Sequence, residues 1–307
     1  MAGATVLASL LGAASVVGAQ PLPETAATLP QERHSLGTRC AGYGCNDAGG
    51  MFVLNPPGRS WALRLDAELG TLAIFSHEIA LGSDATNFDY VADGGQDNLF
   101  FFARIAAQFS LRDRHHLVLL YQPLDVRTAA RLDTDYRMGG VDFRQGTAVD
   151  LRYGFDFYRL SYLYDLLPSP RHELSVGASL QIRNATISFT ETTGGARYAT
   201  EDIGLVPLLK VRGRYTWESG VFVGFEADGS YATNSFLNGA SYPFTGALLD
   251  LSLRAGAHLW GPVEWYVNLR YLGGGAEGTS DDAPAPADGR TRNWLHTGSL
   301  SLGFALR

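Results

Sequence analysis

Residues 246–259, GALLDLSLRAGAHL, place Leu249, Leu251, Leu253, Ala255, Ala257 and Leu259 at every second position, with Asp250, Ser252, Arg254, Gly256 and His258 between them. A period of two is that of a β-strand, whose successive side chains point to opposite faces. The contrast between the faces constrains the fold most, because one is aliphatic and the other ionic. A soluble sandwich hides its apolar face in a core and seldom loads the other so densely with charge. Hydrocarbon outside and a polar lumen inside satisfy both faces at once. Two more stretches read the same way. Trp61, Leu63, Leu65 and Leu69 oppose Arg64, Asp66 and Glu68, while Leu300, Leu302, Phe304 and Leu306 oppose Ser299, Ser301 and Gly303.

Alternation of this kind recurs to the end of the chain and predicts ten strands, at about 61–80, 98–111, 115–124, 146–166, 172–190, 203–217, 221–232, 246–259, 263–273 and 291–306. Their connections sort by length. RDRH, LPSPR, ESG and GP are tight, whereas those between them, such as GSDATNFDYVADGGQD and GGAEGTSDDAPAPADGRT, are long and polar. Short turns at one end and long loops at the other are the asymmetry of periplasmic turns and extracellular loops. The tryptophans agree: Trp61, Trp217, Trp260 and Trp265 fall at the short-turn end and Trp294 at the other, as girdles at two water–lipid boundaries would. The expected fold is all-β: an antiparallel transmembrane β-barrel of ten strands, with eight or twelve as alternatives. A mean hydropathy of −0.03 and the lack of any apolar run near the ~20 residues of a spanning helix speak against helical crossing. The net charge of −7 speaks against nucleic acid as a partner.

Ahead of the barrel (60–307), residues 1–19 read as a secretory signal with Val17-Gly18-Ala19 before Gln20. Residues 20–59, rich in Pro, Gly, Ala and Thr, read as a flexible periplasmic segment. Cys40 and Cys45 are the only cysteines, and in an exported chain they are expected to form a disulfide rather than a metal site.

Taken together, the alternation, the loop asymmetry, the girdles and the terminal strand GSLSLGFALR make the chain resemble the Gram-negative outer-membrane β-barrel proteins, over residues 61–307. The resemblance implies a location in the bacterial outer membrane, with its lipid and lipopolysaccharide as surroundings and the barrel-assembly machinery as a partner during biogenesis. It also implies a monomer. Such proteins usually end in an aromatic residue; here Phe304 stands three residues early and Arg307 is last.

Alternation places Arg64, Arg104, Arg159, Arg183, Lys210, Arg212, Arg214, Arg254 and Arg270 in the lumen, against Asp66, Glu68, Asp165, Glu173, Glu226, Asp228, Asp250 and Glu264. A ten-stranded barrel is little wider than the eight-stranded ones that side chains fill. The expectation is therefore a packed ionic lumen, largely closed. Across the WESG turn Arg212 should face Glu226, and Lys210 should face Asp228; His258 should meet Glu264 across the GP turn.

Barrel enzymes of this membrane use a rim Asp pair with Asp–His, or a Ser–His–acid set. Ser76-His77-Glu78 has suitable residue types, but adjacent strand residues point to opposite faces; His296 and Ser299 also fall on different faces. His77 and His296 remain weak catalytic candidates. Asp84, Asp89, Asp93 and Asp97, like Asp281-Asp282, read as solvated loop acids that could hold divalent cations. No cofactor or metal is expected. The functional reading is a non-enzymatic barrel acting through its loops, with a narrow polar-solute channel second and a rim hydrolase of lipid or peptide third.

One strand breaks its own rhythm. In YGFDFYRLSYLYDLL the apolar residues Tyr153, Phe155 and Phe157 are odd-numbered, then Leu160, Tyr162 and Tyr164 are even. The expected cause is a β-bulge between Phe157 and Arg159 at the outer membrane edge.

Overall fold

A computed structural model describes residues 59–167, 169–233, 244–279 and 290–307. The expected signal, the segment 20–58, Cys40, Cys45 and Asp281-Asp282 lie outside the described residues. Among the described residues fourteen strands follow in chain order: β1 (Trp61–Leu81), β2 (Phe88–Asp89), β3 (Leu99–Leu111), β4 (His115–Gln122), β5 (Asp125–Arg131), β6 (Tyr136–Met138), β7 (Val141–Phe143), β8 (Ala148–Asp165), β9 (His172–Glu191), β10 (Arg197–Thr216), β11 (Val221–Thr233), β12 (Phe244–Trp260), β13 (Val263–Gly278) and β14 (Thr291–Leu306).

Each long strand pairs antiparallel with its sequence neighbour, and β14 pairs with β1, so the wall closes as a ten-stranded barrel. β4 and β5 together make one wall position along β8. Gln122 faces Phe157 and Asp125 faces Gly154 in unchanged register, with the ladder interrupted at Pro123-Leu124. Closure matters energetically, because in hydrocarbon an unpaired backbone group costs several kcal/mol. In the three-residue turn 112–114, Arg112 (φ 51°) and Asp113 (φ 60°) are left-handed, and Arg114 N–H closes the turn onto Leu111.

The outer surface carries an apolar belt, including Leu69, Ile105, Leu119, Leu160, Leu180, Leu209, Leu253, Leu269 and Leu300, all exposed. Alternating with them, charged residues point inward. Such a molecule is stable only with lipid around it. The chain is a transmembrane β-barrel.

The expected bulge in β8 is absent. Pairing with β9 runs unbroken from Val149↔Glu191 to Asp165↔Ser175, through Phe157↔Arg183 and Arg159↔Gln181. Odd-numbered residues face inward along the whole strand: Val149, Leu151, Tyr153 and Phe157 are buried above, Arg159, Ser161 and Asp165 below. The rhythm changes because the surroundings change. Below, lipid lies outside and charge inside; above, water lies outside and an apolar core inside. β9 behaves likewise, with Ala185, Ile187 and Phe189 buried above Gln181 and Ser179. A bulge does occur elsewhere, in β1 at Phe75, where the pairing with β14 shifts between Ile74 and Ser76.

Candidate functional site: the filled lumen and its outer cap

The lumen at membrane level holds a continuous ionic ladder. At the short-turn end Glu264 accepts from Arg64 (2.7 Å), Arg214 (2.7 Å) and Arg307 (2.8 Å), with His258 at 3.1 Å. The terminal arginine thus folds back onto the lumen entrance. Arg64 also forks onto Asp66, with both bonds at 2.8 Å. One layer up, Glu68 accepts from Asn268 (2.8 Å), Ser301 (3.0 Å) and Tyr266 (3.2 Å), with Arg254 at 3.4 Å. Arg254 reaches on to Glu226 (3.5 Å). The register sets Lys210 opposite Asp228 and Arg212 opposite Glu226. Lys210 bridges Asp228 (2.7 Å) and Glu226 (3.1 Å), while Arg212 turns the other way, to Glu173 (2.6 Å) and Gln108 (2.7 Å).

At the top of the ladder Arg159 donates to Asp250 (2.8 Å), lies 3.0 Å from Asp228, and holds Gln181 through Nε and Nη2. Arg270 forks onto Asp250 at 2.7 Å, and Arg104 sits 3.8 Å from Glu226 and 3.9 Å from Asp250. Arg159 is 0 % exposed and Asp250 1 %, so no gap wide enough for water reaches this layer. Asp165 differs from the others: it accepts the backbone N–H groups of Leu167 (3.0 Å) and Leu174 (3.2 Å) and caps the turn there.

Above the ladder comes an apolar plate of Leu120, Phe157 and Leu272 with Phe155 and Leu248 against it. A larger apolar cap then fills the mouth. It joins wall residues (Leu72, Ile74, Val149, Tyr153, Ile187, Phe189, Leu295) to loop residues (Phe88, Tyr90, Leu132, Tyr136, Met138, Phe143). Phe88 lies at its centre, with Tyr90, Tyr136 and Phe189 each edge-on at 5.0 Å. β2 and the β6–β7 hairpin exist to deliver these side chains.

His77 belongs to this cap. The Phe75 bulge rotates it inward, so it leaves the face that simple alternation assigned to it. Its ring is 0 % exposed, stacked 4.3 Å from Tyr90 and edge-on 4.2 Å from Tyr153, with Nδ1 donating to Gln96 Oε1 (2.7 Å). The site lies above the last lipid-facing residue of β1. Burial lowers its pKa to about 4, against weaker support from Gln96 and Asn293. His296 points outward at the membrane edge, bonded to Tyr271 (2.7 Å). Among the described residues neither histidine meets a Ser–acid or Asp pair. Trp61, Trp217, Trp260 and Trp265 stand outward at the short-turn end, Trp61 beside Phe109 and beneath Arg59, and Trp294 lies at the far end of β14.

The loop acids have local partners. Asp84 pairs with Arg137 (2.7 Å), Asp89 caps Val91 and Ala92, and Asp93 accepts from Tyr136. Among the described residues no group of three or more His, Cys, Asp or Glu could hold a metal ion. Sequence reasoning missed Gln96, Tyr90 and Phe88, whose signal was only aromatic residues inside a polar loop.

No protein-family model matches the chain, and no curated protein does. Solved structures similar to it include the outer membrane protease OmpT from Escherichia coli (TM-score 0.46, 12 % identity, covering 80 % of this chain and 96 % of that one). Neisserial surface protein A is also similar (0.31, 11 %, 81 % and 99 %), as is a Pseudomonas aeruginosa FadL homologue (0.37, 8 %, 80 % and 90 %). At such scores and identities the likeness bears on no activity.

Proposed function

We propose that the protein is a non-conducting, non-enzymatic outer-membrane barrel that acts through its outer cap and loops. One observation carries this reading: the lumen is filled twice, by the Arg159–Asp250 layer and by the apolar cap. Ions would have to break a buried charge network, then pass a plate of leucine and phenylalanine. The cap is a rigid platform, since its loops are tied to the wall by packing around Phe88 and to each other by Tyr136–Asp93. On this reading the chain works as a monomer, inserted by the barrel-assembly machinery among lipopolysaccharide. It presents a charged rim of Asp135, Arg137, Asp142 and Arg144, whose side chains line a small outer cavity of about 190 Å³ with Tyr136 and Phe143. The test is planar-bilayer recording with purified protein. No sustained ohmic current is expected, and shortening the loop 83–97 should not create one, because the ionic layer stays. Steady conductance from the intact protein would overturn the reading in favour of a channel.

A further inference from the structure

The barrel wall has a notch between β10 and β11. β10 pairs with β9 along its whole length, from Arg197↔Thr190 to Tyr215↔His172. Its ladder with β11 stops at Leu209↔Gly229. β11 continues to Thr233, paired with β12 alone. Extending the register would oppose Leu208 to Ser230, Pro207 to Tyr231, Val206 to Ala232 and Leu205 to Thr233; among the described residues none of these rungs forms. Ile203 and Tyr231, on the two strands at the unformed rungs, are 75 and 69 % exposed.

The sequence itself ends the ladder. Thr216 N–H donates to Arg171 on the β9 side, whereas Trp217 N–H donates to Val221 on the β11 side. Alternation then aims the odd-numbered amides of β10 at β11. The first odd position past Leu209 is Pro207, which has no N–H to give.

The notch lies at lipid level. Leu205 pairs with Ile182, the last apolar lipid-facing residue of β9, and Ile203 pairs with Asn184. The gap thus cuts the outermost part of the hydrocarbon band and opens an apolar slot toward the lipid. Behind it the inward side chains are apolar: Val206, Leu208, Leu248 and Phe155. At its upper rim is one cation. A Cβ on Gly204 would come within 2.5 Å of Arg183 Nε, so the bare glycine is what lets this arginine lie across β10 toward the gap. Its ion pair with Asp202 is loose, at 3.7 Å, and Asp202 is solvent-exposed.

We propose that this notch binds an acyl chain of the phosphorylated glycolipid of the outer leaflet, with Arg183 holding a lipid phosphate. An acyl chain matches the apolar layer behind the gap. A phosphate would compete with Asp202 for the guanidinium, which suits Arg better than Lys by its forked donors. The site is independent of whether the lumen conducts.

The test labels Val206→Cys with a nitroxide in the full chain carrying Cys40→Ser and Cys45→Ser. Labels at Leu209→Cys and Glu218→Cys serve as lipid and water references. The protein is reconstituted in phosphatidylethanolamine–phosphatidylglycerol vesicles with and without lipid A. The 206 label should collide with oxygen nearly as often as the 209 label and several-fold less with a nickel chelate than the 218 label. Lipid A should slow its motion, and Arg183→Gln should abolish that slowing. A label shielded from both relaxers would mean a covered seam, and free access of nickel would mean a watery one. Either result, or indifference to lipid A, would overturn the proposal.

Discussion

Replacing Arg159 by methionine would show whether the lumen is dry. Arg159 Nη1 lies 2.8 Å from Asp250 and 3.0 Å from Asp228, which themselves face each other across β11 and β12. Lys210, Arg270 and Arg104 stay behind, so the change leaves the two carboxylates one cation short in a buried layer. Two unit charges about 3 Å apart interact by about 1.4 kcal/mol in water and by about 5.5 kcal/mol at an effective dielectric of 20. Breaking a buried pair from one side costs about 3–5 kcal/mol, because the stranded partner pays its desolvation alone. Arg159→Met should therefore lose about 3–5 kcal/mol, whereas Arg159→Met combined with Asp250→Asn should recover at least 2 of these. Urea unfolding from lipid vesicles, followed by the belt tryptophans, reads both, with gel mobility before and after heating to confirm the folded form. A loss below about 1 kcal/mol, or strict additivity of the two changes, would refute a water-free ionic layer.

Other outcomes follow from the cap and the seam. The unfolded His77 takes a proton below pH 6.5, whereas the folded one resists until about 4. Stability should thus be full above pH 6.5 and fall by about 3 kcal/mol as the pH drops to 4. His77→Phe should remove that part of the slope, so a wild-type-minus-variant difference that stays constant with pH would contradict it. Pro207→Val supplies the missing donor and should add a rung to Tyr231. That should gain about 0.5–1 kcal/mol and slow amide exchange at residues 207 and 231; unchanged exchange would mean the strands are held apart by something else. Planar-bilayer recording should stay silent for the wild-type barrel.

The wall was legible because alternation over ten or more residues leaves little freedom: each long strand lies within about six residues of its expected bounds. The lumen charges were legible for the same reason, since parity alone assigns a face. Parity fails where the backbone inserts a residue, as at Phe75, beyond which the odd-numbered His77 turns into the cap. It also misleads when the medium changes sides. Tyr153, Phe155 and Phe157 looked like a slipped register, yet the register holds and the core behind them is apolar. The cap was hidden because Phe88, Tyr90, Met138 and Phe143 come from two- and three-residue strands in loops, too short for any period to show. Pro207 was plain in the sequence, but its meaning depended on which way its missing N–H would have pointed.

The reversal along β8 and β9 also gives the barrel a waterline. Sliding outward by two residues would lift Tyr158 and Ile182 out of the bilayer and draw polar lumen contacts up to no purpose. Sliding inward would drown Asp156, Asn184 and Arg152 in hydrocarbon. Both moves are uphill, so the molecule floats at one height whatever its neighbours do. A thinner or thicker bilayer must bend to meet it, and the cap rides at a fixed elevation above the surface.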